Sequence, residues 1–180
     1  MKYCSNCGAL VDILIPEGDT LPRHVCSACS YIHYQNPKMV VGCIPKWENK
    51  ILLCRRAINP RRGFWTLPAG FMENSETLEQ AASRETMEEA HAHVKIGNLY
   101  AIYNLPAINQ VYFLFLAKLL DLNFKPGIES LEVKLFKEEE VPWDKIAFQV
   151  IGMPLKRYFK EMHSGDPNFY LETLDNIDHC

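Results

Sequence analysis

The chain has 180 residues, 48% of them hydrophobic and 23% charged, with a formal net charge of -3 and a pI near 6.1. That bounds it to one ordinary domain, or one plus a small appendage, with enough apolar material for a core and no compositional sign of disorder. The near-neutral balance lacks the basic excess or stripe of a nucleic-acid partner, so a small-molecule enzyme fits better. No stretch approaches the roughly 18 apolar residues of a membrane span. The opening MKYCSNCGAL lacks the apolar core and cleavage site of a secretory signal. Seven cysteines are present, an odd number, with Cys43, Cys54 and Cys180 scattered. The expectation is a cytoplasmic protein with no membrane partner.

In chain order, apolar runs at Leu10 to Ile15 and Leu21 to Val25 flank the turn-like Pro16-Glu17-Gly18-Asp19, a hairpin signal. Tyr34-Gln35-Asn36-Pro37 is a natural boundary, because the residue before a proline is pushed out of helical conformations. The expected domains are 1–34 and 35–180. Met39 to Trp47 and Ile51 to Arg55 read as strands around a Glu48-Asn49-Lys50 turn, and Trp65 to Leu67 as a short strand. A helix is predicted over Leu78 to Ala90, with Thr77 as N-cap and Gln80 closing a capping box. Val94 to Tyr103, Asn109 to Leu120 and Val133 to Phe136 read as further strands. From Trp143 to Met162 the spacing is helical, interrupted by Pro154. Strands before and after a central helix argue a mixed sheet flanked by helices, an α+β class.

The first chemical constellation is Cys4-x-x-Cys7 and, after 18 intervening residues, Cys26-x-x-Cys29. Four thiolates from two knuckles of a hairpin make a closed tetrahedral site, which Zn²⁺ prefers when its role is structural. A redox dithiol or ordinary buried cysteines are the alternatives. A catalytic zinc would need an open position that four cysteines do not leave. His24 and His33 are nearby potential substitutes that a four-cysteine site does not need.

The second constellation begins at Gly70: GFMENSETLEQAASRETMEEAHA. On a helical wheel Glu85, Glu88 and Glu89 span one face together with Leu78, Ala81 and Ala82, while Glu79, Gln80 and Ser83 lie opposite. Like charges at i, i+3 and i+4 repel, and the macrodipole disfavours acids in the last turns. Burial beside apolar neighbours costs each carboxylate more unless it is neutralised. Mg²⁺ or Mn²⁺ would remove all three objections. The wheel leaves two readings, a metal site and a surface acid patch.

The segment resembles the Nudix box, G-x5-E-x7-R-E-U-x-E-E-x-G-U with U aliphatic, with Gly70, Glu76, Arg84, Glu85, Glu88 and Glu89 at the required spacing. Thr86 stands for an aliphatic residue, His91 for the glycine that ends the helix, and Ala92 for a larger apolar one. His91 puts the helix C-cap in question, because a side chain resists the left-handed conformation. The resemblance implies an α/β/α sandwich with a mixed sheet, preceded by a β-hairpin zinc ribbon. It implies that Glu85, Glu88, Glu89 and the Ala69 carbonyl hold Mg²⁺ or Mn²⁺, that Glu76 and Arg84 pair to shape the preceding loop, and that an activated water attacks a pyrophosphate phosphorus. In ribbon-containing members a glutamate before a late strand serves or supports the general base. Glu129 and Glu132 are the candidates here, with Glu132 favoured.

The implied substrate is a nucleotide. A zinc ribbon before a Nudix domain is similar to the NADH pyrophosphatases, but their S-Q-P-W-P-F-P-x-S motif is missing from Ala101 to Val111. YQNPKMVVGC and GIESLEVKLF are similar instead to FAD and ADP-ribose pyrophosphatases, which release AMP, and Pro106 lies near where ADP-ribose-preferring members carry a proline. Rival readings are a triphosphate-sanitising hydrolase, which would yield pyrophosphate, and a nucleotide-sensing regulator, against which the intact carboxylate set argues. Arg55 and Arg56 are candidate phosphate ligands. Trp65, Tyr103 and Tyr112 are candidate stacking platforms, although aromatics in strands are more often core. Cys43 and Cys54 read as inert core residues. The sequence leaves open whether the chain forms a homodimer, as family members commonly do.

Overall fold

The computed structural model describes residues 1–165 and 167–175, so Cys180 lies outside the described residues. The chain divides into two compact units, Met1–Asn36 and Pro37–Cys180. In the first, β1 (Val11–Leu14), β2 (Arg23–Cys26) and β3 (Ile32–His33) form an antiparallel sheet in that order. Gly18 supplies the positive φ of the β1–β2 turn, and Arg23 pairs with Asp19 at 2.8 Å behind it. The expected hairpin is present. Strand β3 is an addition, too short for any alternation of apolar residues to announce it.

In the second unit β4 (Lys38–Trp47) and β5 (Lys50–Arg56) form a hairpin, followed by β6 (Trp65–Thr66) and β7 (Ala69–Phe71). Helix α1 spans Leu78–Ala90, and β8 (Val94–Leu105), β9 (Gln110–Leu119) and β10 (Ser130–Phe136) follow. Helix α2 (Gln149–Ser164) and β11 (Tyr170–Thr173) complete it. The main sheet runs β10-β5-β4-β9-β8-β11, with β6 on β5 and β7 on β4. It is mixed: β4 lies parallel to β9 and β11 parallel to β8, while the other pairs are antiparallel.

Helices cover both faces, as alternate residues of β4 record. Val41 and Cys43 pack with Ala81 and Ala82 of α1, whereas Ile44 packs with Ile151 and Leu155 of α2. Helix α1 starts as the sequence implies, with the Thr77 side chain accepting from the Gln80 N–H and the Gln80 side chain accepting from the Thr77 N–H at 2.7 Å.

Pro154 corrects one expectation, because α2 runs through it rather than breaking. The proline forfeits one backbone bond, and the burial of Val150, Ile151, Leu155, Tyr158 and Phe159 on the sheet outweighs that loss. Strand β10 begins three residues before the expected Val133, and a bulge between Ser130 and Glu132 hides its alternation. No helix among the described residues is long and apolar enough to cross a membrane.

Candidate active site

Helix α1 brings its acids to a cleft of about 1320 Å³ lined by Ala69, Gly70, Glu85, Glu88 and Glu89, by Phe148 and Gln149 at the start of α2, and by Lys156 midway along it. Glu89 is 8% exposed and Glu85 9%, and Glu88 projects further out. Burial is the main cause that raises the Glu89 carboxyl from 4.5 to about 8. The Glu85 charge adds to it, and Arg56 and the Ala69 backbone N–H oppose it. Burial likewise pushes Glu85 upward, against the pull of Arg84.

Gly70 makes room for this arrangement, because a Cβ there would overlap the Glu85 carboxylate. Thr86, which stands where an aliphatic residue is usual, is fully buried and satisfied. Its hydroxyl donates to the Ala82 carbonyl at 2.7 Å and lies 3.1 Å from Cys43 Sγ. His91 adopts the left-handed cap after all, at φ 47°, and its N–H donates to the Met87 carbonyl.

Arg84 organises the loop before the helix. Its Nε and Nη2 grip both Glu76 oxygens at 3.0 and 2.8 Å, Nη2 also reaches the Phe71 carbonyl, and the Glu73 N–H closes on Glu76 at 2.6 Å. The Arg84 hydrogen bonds draw the Glu76 carboxyl down to about 2. Arg84 Nη1 meanwhile touches Glu85 at 2.6 Å and Glu88 at 3.1 Å. The glutamates are thus spread around a guanidinium that compensates part of their charge. An oxygen-only donor set of this kind suits a hard divalent cation, which Glu85, Glu88 and Glu89 could hold.

The other candidates separate. Arg56 lines the cleft, with its Nε on the Pro60 carbonyl at 2.9 Å and its guanidinium 5.1 Å from the Phe148 ring centroid. Neighbouring residues of a strand face opposite ways, and Arg55 is not among the lining residues. It lies 3.6 Å from Glu132 across the β5–β10 pairing. Glu132 is therefore turned away from the cleft, whereas Glu129 lines it and adds to the negative potential at Glu85 and Glu89.

Trp65 and Tyr103 are core. Trp65 packs edge-to-face on Phe136 at 4.8 Å, and Tyr103 shares a 2.7 Å hydrogen bond with the Tyr170 hydroxyl. Tyr112, paired opposite Tyr103, is the aromatic of that set that reaches the cleft. Pro106 is exposed at the head of a short turn, and its neighbours Leu105 and Ile108 line the cleft in its place. Sequence reasoning missed Phe71, half-exposed with Lys38 Nζ 4.9 Å from its ring, and Phe148. A lone aromatic beside a glycine or at a helix start carries no periodic signal.

In the first unit the four sulfurs of Cys4, Cys7, Cys26 and Cys29 lie within 4.8 Å of one another, and none is in a disulfide. The Asn6 N–H points to Cys4 Sγ and the Cys29 N–H to Cys26 Sγ, both at 3.4 Å. Buried His33 places Nε2 3.3 Å from Cys4 Sγ. Donors aimed at sulfur favour thiolates, and four convergent thiolates suit a tetrahedral metal. His24 lies instead 3.3 Å from the N-terminal amine.

Comparisons with known proteins accord with both constellations. Residues 2–35 match the zinc-ribbon family model described as Nudix N-terminal, and residues 36–152 match the model described as NUDIX domain. The chain belongs to the Nudix family. It is a pyrophosphohydrolase by class. A NUDIX hydrolase from Nitrosomonas europaea is 66% identical with a TM-score of 0.96, over 98% of this chain and 100% of that one. An ADP-ribose pyrophosphatase of Methanocaldococcus jannaschii is 33% identical over 122 residues, 66% of this Nudix chain and 71% of the relative. A Salmonella heidelberg protein named NAD-capped RNA hydrolase NudC is 35% identical over 105 residues. That match takes in 58% of this chain and 38% of the relative's length.

Proposed function

We propose that this Nudix protein hydrolyses a nucleoside diphosphate linked to a second moiety, ADP-ribose or FAD, and releases AMP in a reaction that requires Mg²⁺ or Mn²⁺. The observation that carries the reading is the convergence of three helix-borne carboxylates on a cleft with Arg56 facing them. In this proposal Glu85, Glu88, Glu89 and the Ala69 carbonyl hold the cation, and Cys4, Cys7, Cys26 and Cys29 hold a structural Zn²⁺. The bound divalent cation supplies an activated water and polarised phosphoryl oxygens.

The protein's own groups do the rest. Arg56 binds pyrophosphate oxygens, and its contact with Phe148 orients the guanidinium. Glu129 accepts the proton of the attacking water as the new oxygen–phosphorus bond forms and the bridging bond breaks. Tyr112, Phe148 and Phe71 offer faces for the adenine and for the second moiety. With ADP-ribose the products are AMP and ribose 5-phosphate; with FAD they are AMP and FMN.

The similarity to the Methanocaldococcus pyrophosphatase supports ADP-ribose. A second reading, NADH or a related dinucleotide, has the NudC relatives in its favour and would give AMP and reduced nicotinamide mononucleotide. The test offers ADP-ribose, FAD, NADH and nucleoside triphosphates with Mg²⁺ or Mn²⁺ and identifies the products. The proposal expects AMP from ADP-ribose or FAD at the highest kcat/KM. Preferential release of pyrophosphate from triphosphates would overturn it.

A further inference from the structure

The segment between β9 and β10 is bound to the end of α1 by backbone hydrogen bonds, with Phe124 packed on the apolar cluster that includes Ala90. The Lys125 N–H donates to the Ala90 carbonyl and the Gly127 N–H to the Glu89 carbonyl, each at 2.9 Å. Both acceptors are last-turn carbonyls that the helix itself leaves unsatisfied. The approach is so close that a Cβ on Gly127 would overlap the Glu88 carbonyl oxygen and crowd the carbonyl carbons of Glu88 and Glu89. These obstacles are backbone of the metal-bearing helix and cannot swing aside. Gly127 does not have a positive φ, so close approach alone explains why a glycine stands there.

From this anchor the chain turns at once. The Ser130 N–H closes on the Gly127 carbonyl at 3.1 Å, and the Ala57 N–H at the end of β5 donates to the Glu129 carbonyl at 2.8 Å. Glu129 is thus held on one side by a turn that starts at the docked glycine and on the other by the sheet. Ile128, next to it, is 97% exposed, so the packing contributed by Phe124 stops short of the turn itself, which backbone bonds hold.

We infer that Gly127 is a positioning residue for the reaction: by letting the 125–130 segment seat directly on the C-terminal carbonyls of α1, it fixes the Glu129 carboxylate relative to the Glu85, Glu88 and Glu89 cluster. The inference rests on the proposed hydrolase reading and on Glu129 as the proton acceptor in it. The same helix then carries the acidic ligands and, through its last carbonyls, the base. A shift of about 1 Å in such a group can cost on the order of a hundredfold in rate.

The test is a double-mutant cycle of Gly127→Ala and Glu129→Gln, with ADP-ribose turnover, thermal melting and amide exchange as readouts. Gly127→Ala is expected to lower kcat by roughly ten- to a hundredfold with KM within a few-fold, and to add little to the loss in Glu129→Gln. In the wild type the Lys125 and Gly127 amides are expected to be protected from exchange, and in Gly127→Ala to lose that protection. If Gly127→Ala does not fold, Lys125→Pro, which removes the other donor to the helix end, is read in the same way.

Additive losses, or a Gly127→Ala effect confined to KM or melting temperature, would overturn the inference. Unprotected wild-type amides would overturn it without reference to activity. Full activity of Glu129→Gln would remove Glu129 as base and this inference with it, and would leave the hydrolase reading standing. No AMP from any substrate with wild-type protein would count against the hydrolase reading itself.

Discussion

Replacing Glu89 by glutamine tests whether the acidic cluster is a cost that only a cation relieves. In the metal-free protein the Glu89 carboxyl titrates near 8 rather than 4.5. Between those values the folded chain keeps a proton that the unfolded chain has released. Stability therefore falls as pH rises through that window, and levels off above it. The gap corresponds to about 3 kcal/mol at pH 7 and about 5 kcal/mol above pH 8, as upper bounds at roughly 1.4 kcal/mol per pH unit. The glutamine amide loses part of this if its own hydrogen bonds go unmet, at about 1–3 kcal/mol. Denaturant unfolding of the two proteins without Mg²⁺ should show Glu89→Gln ahead by on the order of 2 kcal/mol at pH 8, with the advantage vanishing near pH 5. Adding Mg²⁺ should stabilise the wild type and leave the variant nearly unchanged. Equal stabilities at pH 8, or a difference that ignores pH, would refute the reasoning.

Other perturbations separate the roles of neighbouring groups. Gly70→Ala places a methyl group in the space of the Glu85 carboxylate and should lower kcat by about a hundredfold with little change in melting temperature, measured by steady-state kinetics and calorimetry. The Glu76–Arg84 pair stabilises the fold while Glu76 is ionised; that contribution is present above pH 4.5 and lost as pH falls through about 2. Acid unfolding of Glu76→Gln should therefore be less pH-dependent in that window than that of the wild type. Phe71→Ala should raise KM by about tenfold with modest loss of stability. Trp65→Ala should instead cost about 3–5 kcal/mol of stability, because Trp65 fills the core against Phe136. Comparable KM effects for the two variants would contradict their placement.

The helix was legible because three independent signals agree on it: the Thr77-Gln80 capping box, the apolar face of Ala81 and Ala82, and the acids on that same face. The cysteine knuckles were legible by spacing alone. What depends on long-range register was not. Arg55 and Arg56 are equivalent in sequence, and only the pairing of β5 with β10 turns one toward Glu132 and leaves the other in the cleft. Glu129 and Glu132 are separated in the same way by a bulge that no local pattern records. Tyr103 and Tyr112 sit opposite one another on β8 and β9, and the arrival of Tyr170 decides which is buried. Lys156 reaches the cleft on a helix that continues through Pro154, a position at which sequence rules expect a break.

The dependence of ADP-ribose hydrolysis on free Mg²⁺, compared between the wild type and Glu88→Gln, reads the central claim most directly. The account predicts saturable activation from a zero-metal rate near background in the wild type, with release of AMP, and a loss of at least about a hundredfold in the variant. Undiminished release of AMP with divalent cations removed, or wild-type rates from Glu88→Gln at every Mg²⁺ concentration, would contradict it.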